Sequence, residues 1–340
     1  MDNQLFAGDN LAVMRQLPPA TIDLALWDPP YNTGAGNLPY LDRRRDWPGF
    51  MRPRIAAGRD VLKPGGVMAV HIDERELFRL QDILASVFGA ENFLTLLTWL
   101  ASKGTGGRIS RTTEYILIFT KDKGALQLPH VTEPTKNAHQ FRNPDNDLRG
   151  PWRGIIKAGR TREHGYAIQD YSSGQFVTPK YGWRHPPEKM IERFGQCGLV
   201  YEFRDGRLVF LFRSENNGVL PRYFFRDGEL RRKEYLSERN GRRSSLHTLI
   251  SGPGMRAEAG IKELPPGITF PTVKPRALAE KLISHLCPEG GLVLDAFAGS
   301  GTTGLAAANL GRRFILIEEA VPELTAERLR RAEVPFKFSL

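Results

Sequence analysis

Cysteine is scarce in this chain, which carries only Cys197 and Cys287 among 340 residues. Neither stands at metal-ligand spacing and two cannot build a disulfide framework, so a zinc ribbon and a stapled secreted scaffold are excluded. A reducing cytoplasm suits such a chain. The seven histidines show no pairing at metal spacing either, and no metal is expected. The longest apolar run, near Phe93 to Ala101, is too short to cross a bilayer. No basic segment followed by an apolar core opens the sequence, so neither a signal peptide nor a membrane partner is expected. Acidic charge is also in deficit: 48 Lys and Arg against 38 Asp and Glu leave a net +10, which favours a polyanionic partner. Residues 125–265 hold roughly +8 of that excess.

What is present begins with Asp28-Pro29-Pro30-Tyr31, which ends the short apolar run Ile22 to Trp27. Such a run reads as a buried strand, and two prolines cannot continue a sheet ladder. The carboxylate can accept a hydrogen bond from an amine. A proline carbonyl offers a second acceptor, and the tyrosine offers a flat face for a base. Together these suit a planar ring bearing an exocyclic NH₂. The bland account is a strand-ending turn, since Asp and Pro are ordinary turn residues.

Far downstream, Leu292 to Asp295 runs as an apolar strand into Ala296-Phe297-Ala298-Gly299-Ser300-Gly301-Thr302, and Thr303 to Leu310 reads as a helix of small residues. A second strand, Phe314 to Ile317, ends in Glu318-Glu319. Strand, glycine turn, helix, strand and acid is the layout of a nucleotide-binding βαβ unit. The turn is neither a GxGxxG fingerprint nor a P-loop, because no Lys-Ser/Thr pair follows the glycines. Asp295 would repel a pyrophosphate but suits an ammonium, and Glu318 can hold ribose hydroxyls. That charge logic points to S-adenosylmethionine, with Asp295, Phe297, Gly299, Ser300, Gly301, Thr302 and Glu318 around it. Asp9, after a first short strand, is either a helix N-cap or a partner for the cofactor's adenine amine.

The two motifs in this order resemble the β-class amino-methyltransferases of DNA. Asp28 to Gly34, Leu62-Lys63-Pro64-Gly65-Gly66-Val67, Ile72-Asp73-Glu74, Phe88 to Phe93 and Phe270-Pro271-Thr272-Val273-Lys274-Pro275 are similar to one subgroup, the modification (Mod) subunits of type III restriction–modification systems and their adenine-specific relatives. The resemblance covers about residues 1–124 and 266–331, although those subunits are considerably longer. It implies Asp28, Pro29, Pro30 and Tyr31 as the catalytic motif. It also implies Asp28 and Lys274 as part of the cofactor site, and Lys103, Arg108 and Arg111 in a loop beside the substrate pocket. The implied activity is methyl transfer to the N6 amine of a flipped adenine in double-stranded DNA. N4-cytosine and, further off, RNA or protein amine methylation are the alternatives. Carbon-5 methylation would need a nucleophilic cysteine after a strand, and neither cysteine stands there.

The expected fold is α/β: a circularly permuted Rossmann-like sheet for S-adenosylmethionine-dependent methyl transfer, with an inserted, mainly β target-recognition domain. Residues 1–124 would form its catalytic half, 125–265 the insertion and 266–340 the cofactor half. Within the insertion, Asp205-Gly206 and Asp227-Gly228 are hairpin signals, and arginine is interleaved with aromatics. Arg153, Arg184, Arg231 and Arg232 are its candidate DNA contacts. Duplex DNA is the expected partner, with a second copy of the chain and a cognate restriction nuclease as further candidates.

Overall fold

The computed structural model describes residues 2–34, 38–104, 110–132, 138–146, 149–156, 164–213, 222–227, 229–239, 244–252 and 254–339. Its contacts divide it into two compact units, residues 1–131 with 245–340, and residues 132–244.

In the first unit nine strands share one sheet: β1 (Gln4–Ala7), β2 (Ile22–Trp27), β3 (Leu62–Ile72), β4 (Phe93–Leu100), β5 (Thr113–Thr120), β6 (Leu249–Ile250), β7 (Leu292–Asp295), β8 (Arg313–Glu318) and β9 (Lys337–Ser339). Their order is β6-β4-β5-β3-β2-β7-β8-β1-β9. Among these strands β5 alone runs against the rest, antiparallel to both β3 and β4. Alternation along β2 separates two core layers. Leu24 and Leu26 pack on one face with Leu278, Leu282 and Leu329, while Ala25 and Trp27 pack on the other with Met51, Ile55 and Leu80. Helices Arg276–Leu286, Thr302–Asn309 and Pro322–Arg331 contribute to the first layer, and Trp47–Val61 and Leu77–Phe88 to the second.

From β2 the chain proceeds to β3 on one side, and from β7 to β8 on the other. Neighbouring β2 and β7 therefore form a topological switch point, where a crevice opens beyond the carboxyl ends of parallel strands. The expected split sheet is what forms, with the centre of the sheet joining strands from opposite ends of the sequence.

Several local expectations give way. Lys63-Pro64-Gly65-Gly66 reads as a turn but lies inside β3. Leu62 faces Ile22 and Val67 faces Leu24, so the four residues make an excursion within one continuous strand. The helix that follows Asp9 is short, Asn10–Met14. β9 was not legible, because its three residues gain strand geometry only by pairing with β1. Residues 245–265, read as part of the insertion, belong to the first unit. There Leu249 and Ile250 pair with Thr98 and Trp99, and the Trp99 indole N–H donates to the Met255 carbonyl at 2.6 Å.

The second unit is mainly β, as expected, with a four-stranded and a three-stranded sheet. Strands Leu199–Arg204 and Arg207–Arg213 form a hairpin whose turn residues Asp205 and Gly206 both have positive φ, 46° and 73°. Strands Tyr223–Arg226 and Glu229–Tyr235 pair antiparallel after Asp227. Helix Pro187–Gly195, which the β texture concealed, buries Met190 and Phe194 against Tyr201 and Leu208.

Candidate active site

The carboxyl ends of β1, β2, β7 and β8 surround a cavity of about 570 Å³. β7 delivers Asp295, which is 3% exposed and accepts from the Phe297 N–H at 3.0 Å. Burial pushes its carboxyl up to about 7, against the opposing pull of hydrogen bonds from Thr303 and Phe297. No cation among the described residues pairs with it, and the cavity it lines can admit one.

The turn after β7 is built for close approach. Gly301 has φ 82° and starts helix Thr302–Asn309, while Gly299 has φ 50°. Glu318, at the end of β8, accepts from the Gly299 N–H at 2.7 Å with one oxygen and from the Ala320 and Val321 N–H groups with the other. It thus clamps the glycine turn as well as lining the cavity. Arg328 completes the clamp from below. Only 2% exposed, its Nη1 donates to the Ser300 carbonyl, to Ser300 Oγ and to Thr302 Oγ1. Nothing in the helical pattern of residues 322–331 distinguishes Arg328 from its exposed neighbours Arg330 and Arg331, so sequence reasoning missed it.

Asp9 lines the same cavity and does cap its helix, accepting from the Ala12 N–H at 2.9 Å. It is also paired with Arg54, whose Nε donates to Asn10. Asn10 in turn donates to the Ala296 carbonyl at 2.6 Å, tying the end of β1 to the turn after β7. Phe297 packs edge-on against Trp27.

On the other side of the switch point, β2 ends at Asp28. The Trp47 indole N–H donates to the Pro30 carbonyl at 2.7 Å, while no donor among the described residues reaches the Pro29 carbonyl. Tyr31 does not stand free. Its hydroxyl oxygen lies 2.7 Å from Oδ1 of Asp28 and 2.9 Å from Oε2 of Glu114, so one proton serves two carboxylates. Lys274 Nζ lies 3.1 Å from Oδ2 of Asp28 and 3.2 Å from the same Glu114 oxygen. It also sits 4.9 Å from the centre of the Tyr31 ring. Burial works to raise the Asp28 pKa, but Lys274, His71 and the tyrosine hydroxyl outweigh it and the result lies below the ordinary value. His71, buried behind Asp28, is driven down to about 4 chiefly by burial and adds no charge at neutral pH.

Lys274 was expected beside the cofactor. It lines the cavity but spends its charge on Asp28 and Glu114. Glu114 was missed altogether: in sequence it is one acid at the start of an apolar strand. The reversal of β5 brings the beginning of that strand to the edge where the parallel strands end.

Residues 22–321 match the profile of a family of DNA methylases acting at N6 or N4. The chain belongs to this family. The StyLTI Mod subunit of Salmonella typhimurium, a type III restriction–modification enzyme, is 26% identical over 373 residues, covering 95% of this chain and 53% of the subunit. The type II methyltransferase M.KpnI of Klebsiella pneumoniae is 27% identical over 355 residues, covering 94% of this chain and 81% of its own length. The chain spans about half the length of the type III subunits it matches. Among solved structures, that of the M1.HpyAVI–SAM complex aligns with a TM-score of 0.46 at 18% identity, over 96% of this chain and 98% of the other.

The basic residues singled out as DNA contacts are placed unevenly. In the first unit Lys103 is exposed, Arg111 is paired with Glu74, and Arg108 lies outside the described residues. In the second unit Arg153 pairs with Glu234 at 2.8 Å and Arg231 with Glu229 at 2.8 Å, while Arg184 is exposed. Arg231 and Arg232 are successive residues of one strand, so they point to opposite faces of the three-stranded sheet. They cannot both address the same surface from that sheet.

Proposed function

We propose that this chain transfers a methyl group from S-adenosylmethionine to the N6 amine of an adenine flipped out of duplex DNA. The observation that carries the reading is the meeting of two acids at the switch point: Asp28, held ionised by Lys274, and Asp295, buried with its pKa raised toward neutrality. Asp295 suits the ammonium of an amino-acid moiety, the cradle at Gly299 admits a ligand against the backbone, and Glu318 and Asp9 line the remainder. Bound there, S-adenosylmethionine would supply a methyl group made electrophilic by its sulfonium charge.

The chain's own residues then do the positioning. Asp28 and the Pro29 carbonyl accept the two amine hydrogens, drawing the nitrogen toward tetrahedral geometry and freeing its lone pair. Tyr31 stacks on the extruded base, recovering about 1–3 kcal/mol of the unstacking cost. Alignment and fixed charge supply the rate, and no covalent enzyme intermediate is needed. The aspartate at position 28 favours adenine over cytosine, since the cytosine enzymes that the motif resembles usually carry serine there.

The test is to incubate the protein with duplex DNA and S-adenosylmethionine labelled in the methyl group, then separate the nucleosides. Label in N6-methyladenine, lost in Asp28→Ala while calorimetric cofactor binding persists, is the expected result. Label in N4-methylcytosine would overturn the choice of base, and no label in DNA would overturn the activity.

A further inference from the structure

We propose that Glu114 is the final proton acceptor of the transfer step, reached from Asp28 through the hydroxyl of Tyr31. The inference rests on the methyltransferase reading and deepens it. An amine that gains a methyl group must lose a proton. The new N–C bond forms from the nitrogen lone pair while the C–S bond breaks, its electron pair remaining on sulfur. The N–H pair then stays on nitrogen as the proton passes to Asp28.

Asp28 is poorly placed to keep that proton, because the Lys274 ammonium 3.1 Å from its Oδ2 favours the carboxylate. The ammonium cannot carry the proton on, having no lone pair. The tyrosine hydroxyl can, since it has one proton to give and lone pairs to receive another. Its oxygen lies 2.7 Å from Asp28 and 2.9 Å from Glu114, so Asp28 can hand over a proton as the hydroxyl passes its own to Glu114. Tyr31 relays without ionising, because burial and the two carboxylates hold its pKa well above 10. The same ammonium contacts both acids, at 3.1 and 3.2 Å, which brings the start and the end of the path closer in energy. The Glu114 side chain is 23% exposed and can release the proton to water.

Single-turnover methyl transfer to mixed-sequence genomic duplex tests the relay. Tyr31→Phe and Glu114→Gln should each slow transfer by about 100-fold, with melting temperature and calorimetric S-adenosylmethionine affinity unchanged. The double variant should be no slower than the slower single, because both changes break one path. Added formate should accelerate Glu114→Ala and leave Tyr31→Phe unmoved, a rescue that a purely structural role would not give. In the protein without cofactor or DNA, Glu114→Gln should shift the Tyr31 13Cζ resonance. Wild-type rates in Tyr31→Phe and Glu114→Gln, or a Glu114→Ala rate indifferent to formate, overturn the relay while wild-type transfer still upholds the methyltransferase reading. If the wild-type protein methylates no DNA, both fall. Should the Glu114 variants fail to fold, Tyr31→Phe, which keeps the ring, decides alone: a wild-type rate in it overturns the relay.

Discussion

Lys274 Nζ lies 3.1 Å from Oδ2 of Asp28, joining an acid near the start of the chain to a cation near its end in one partly buried pair. The pair holds the acid ionised and pins the Tyr31 hydroxyl between two carboxylates.

Lys274→Met should therefore move the acid limb of the pH–rate profile upward. Burial works to raise the Asp28 pKa, and the ammonium is the largest of the influences that hold it below the ordinary value, ahead of His71 and the Tyr31 hydroxyl; with the ammonium gone, the pKa rises. The carboxylate form that accepts the amine hydrogens is then lost at a higher pH. Rates of methyl transfer measured from pH 5 to pH 9 check this, and an unmoved limb would detach Lys274 from the chemistry.

Asp295→Asn should weaken S-adenosylmethionine binding yet stabilise the free protein at pH 8. A carboxyl whose pKa rises on folding, here from 3.8 to about 7, takes up protons as the chain folds. Its burial costs nothing below pH 3.8, an increasing amount from there to pH 7, and the full amount above. The amide avoids that cost, so Tm should rise at pH 8 by more than at pH 5, with a gain of about 1–2 kcal/mol in denaturant titrations. A variant equally stable at both pH values would contradict the raised pKa.

How much of this was legible varies from residue to residue. The Asp28 and Asp295 motifs were readable because each pairs a strand pattern with punctuation that only a special turn requires. The permuted sheet followed from finding the second nucleotide-binding strand beyond the insertion. Glu114 was invisible because its role depends on a reversed neighbour strand, a relationship absent from local sequence. Arg328 was hidden for a similar reason: its helix is amphipathic, and only the packed turn above it distinguishes one arginine from the others.

Gly299→Val and Glu318→Ala should each reduce cofactor affinity, but with different costs to the fold. Valine at φ 50° is strained, so the turn itself must shift. Removing Glu318 strips three backbone N–H groups of their acceptor and should cost about 1–3 kcal/mol of stability. Calorimetry beside denaturant titration separates the two effects, and unchanged affinity in both would remove the pocket from the mechanism.

Replacing residues 132–244 by a short linker should leave a first unit that folds and binds cofactor, since its core clusters contain none of those residues. Duplex affinity should drop, and the slope of log affinity against log salt should flatten as phosphate contacts vanish. An excised protein with wild-type duplex affinity and salt slope would show that the second unit is not the DNA reader.

The sheet order also sets a timetable for synthesis. β7 and β8 occupy the middle of the sheet, yet they are among the last strands to be made. When β2 and β3 have left the ribosome, the edge of β2 that will meet β7 has no neighbour. β1 is then an orphan, since both its partners come from the final thirty residues. At typical elongation rates the open edge persists for roughly 10–50 s. Unpaired edges of that kind invite intermolecular pairing. A nascent chain arrested before residue 292 is thus a species that aggregates or needs a chaperone, until β7 covers the open edge of β2.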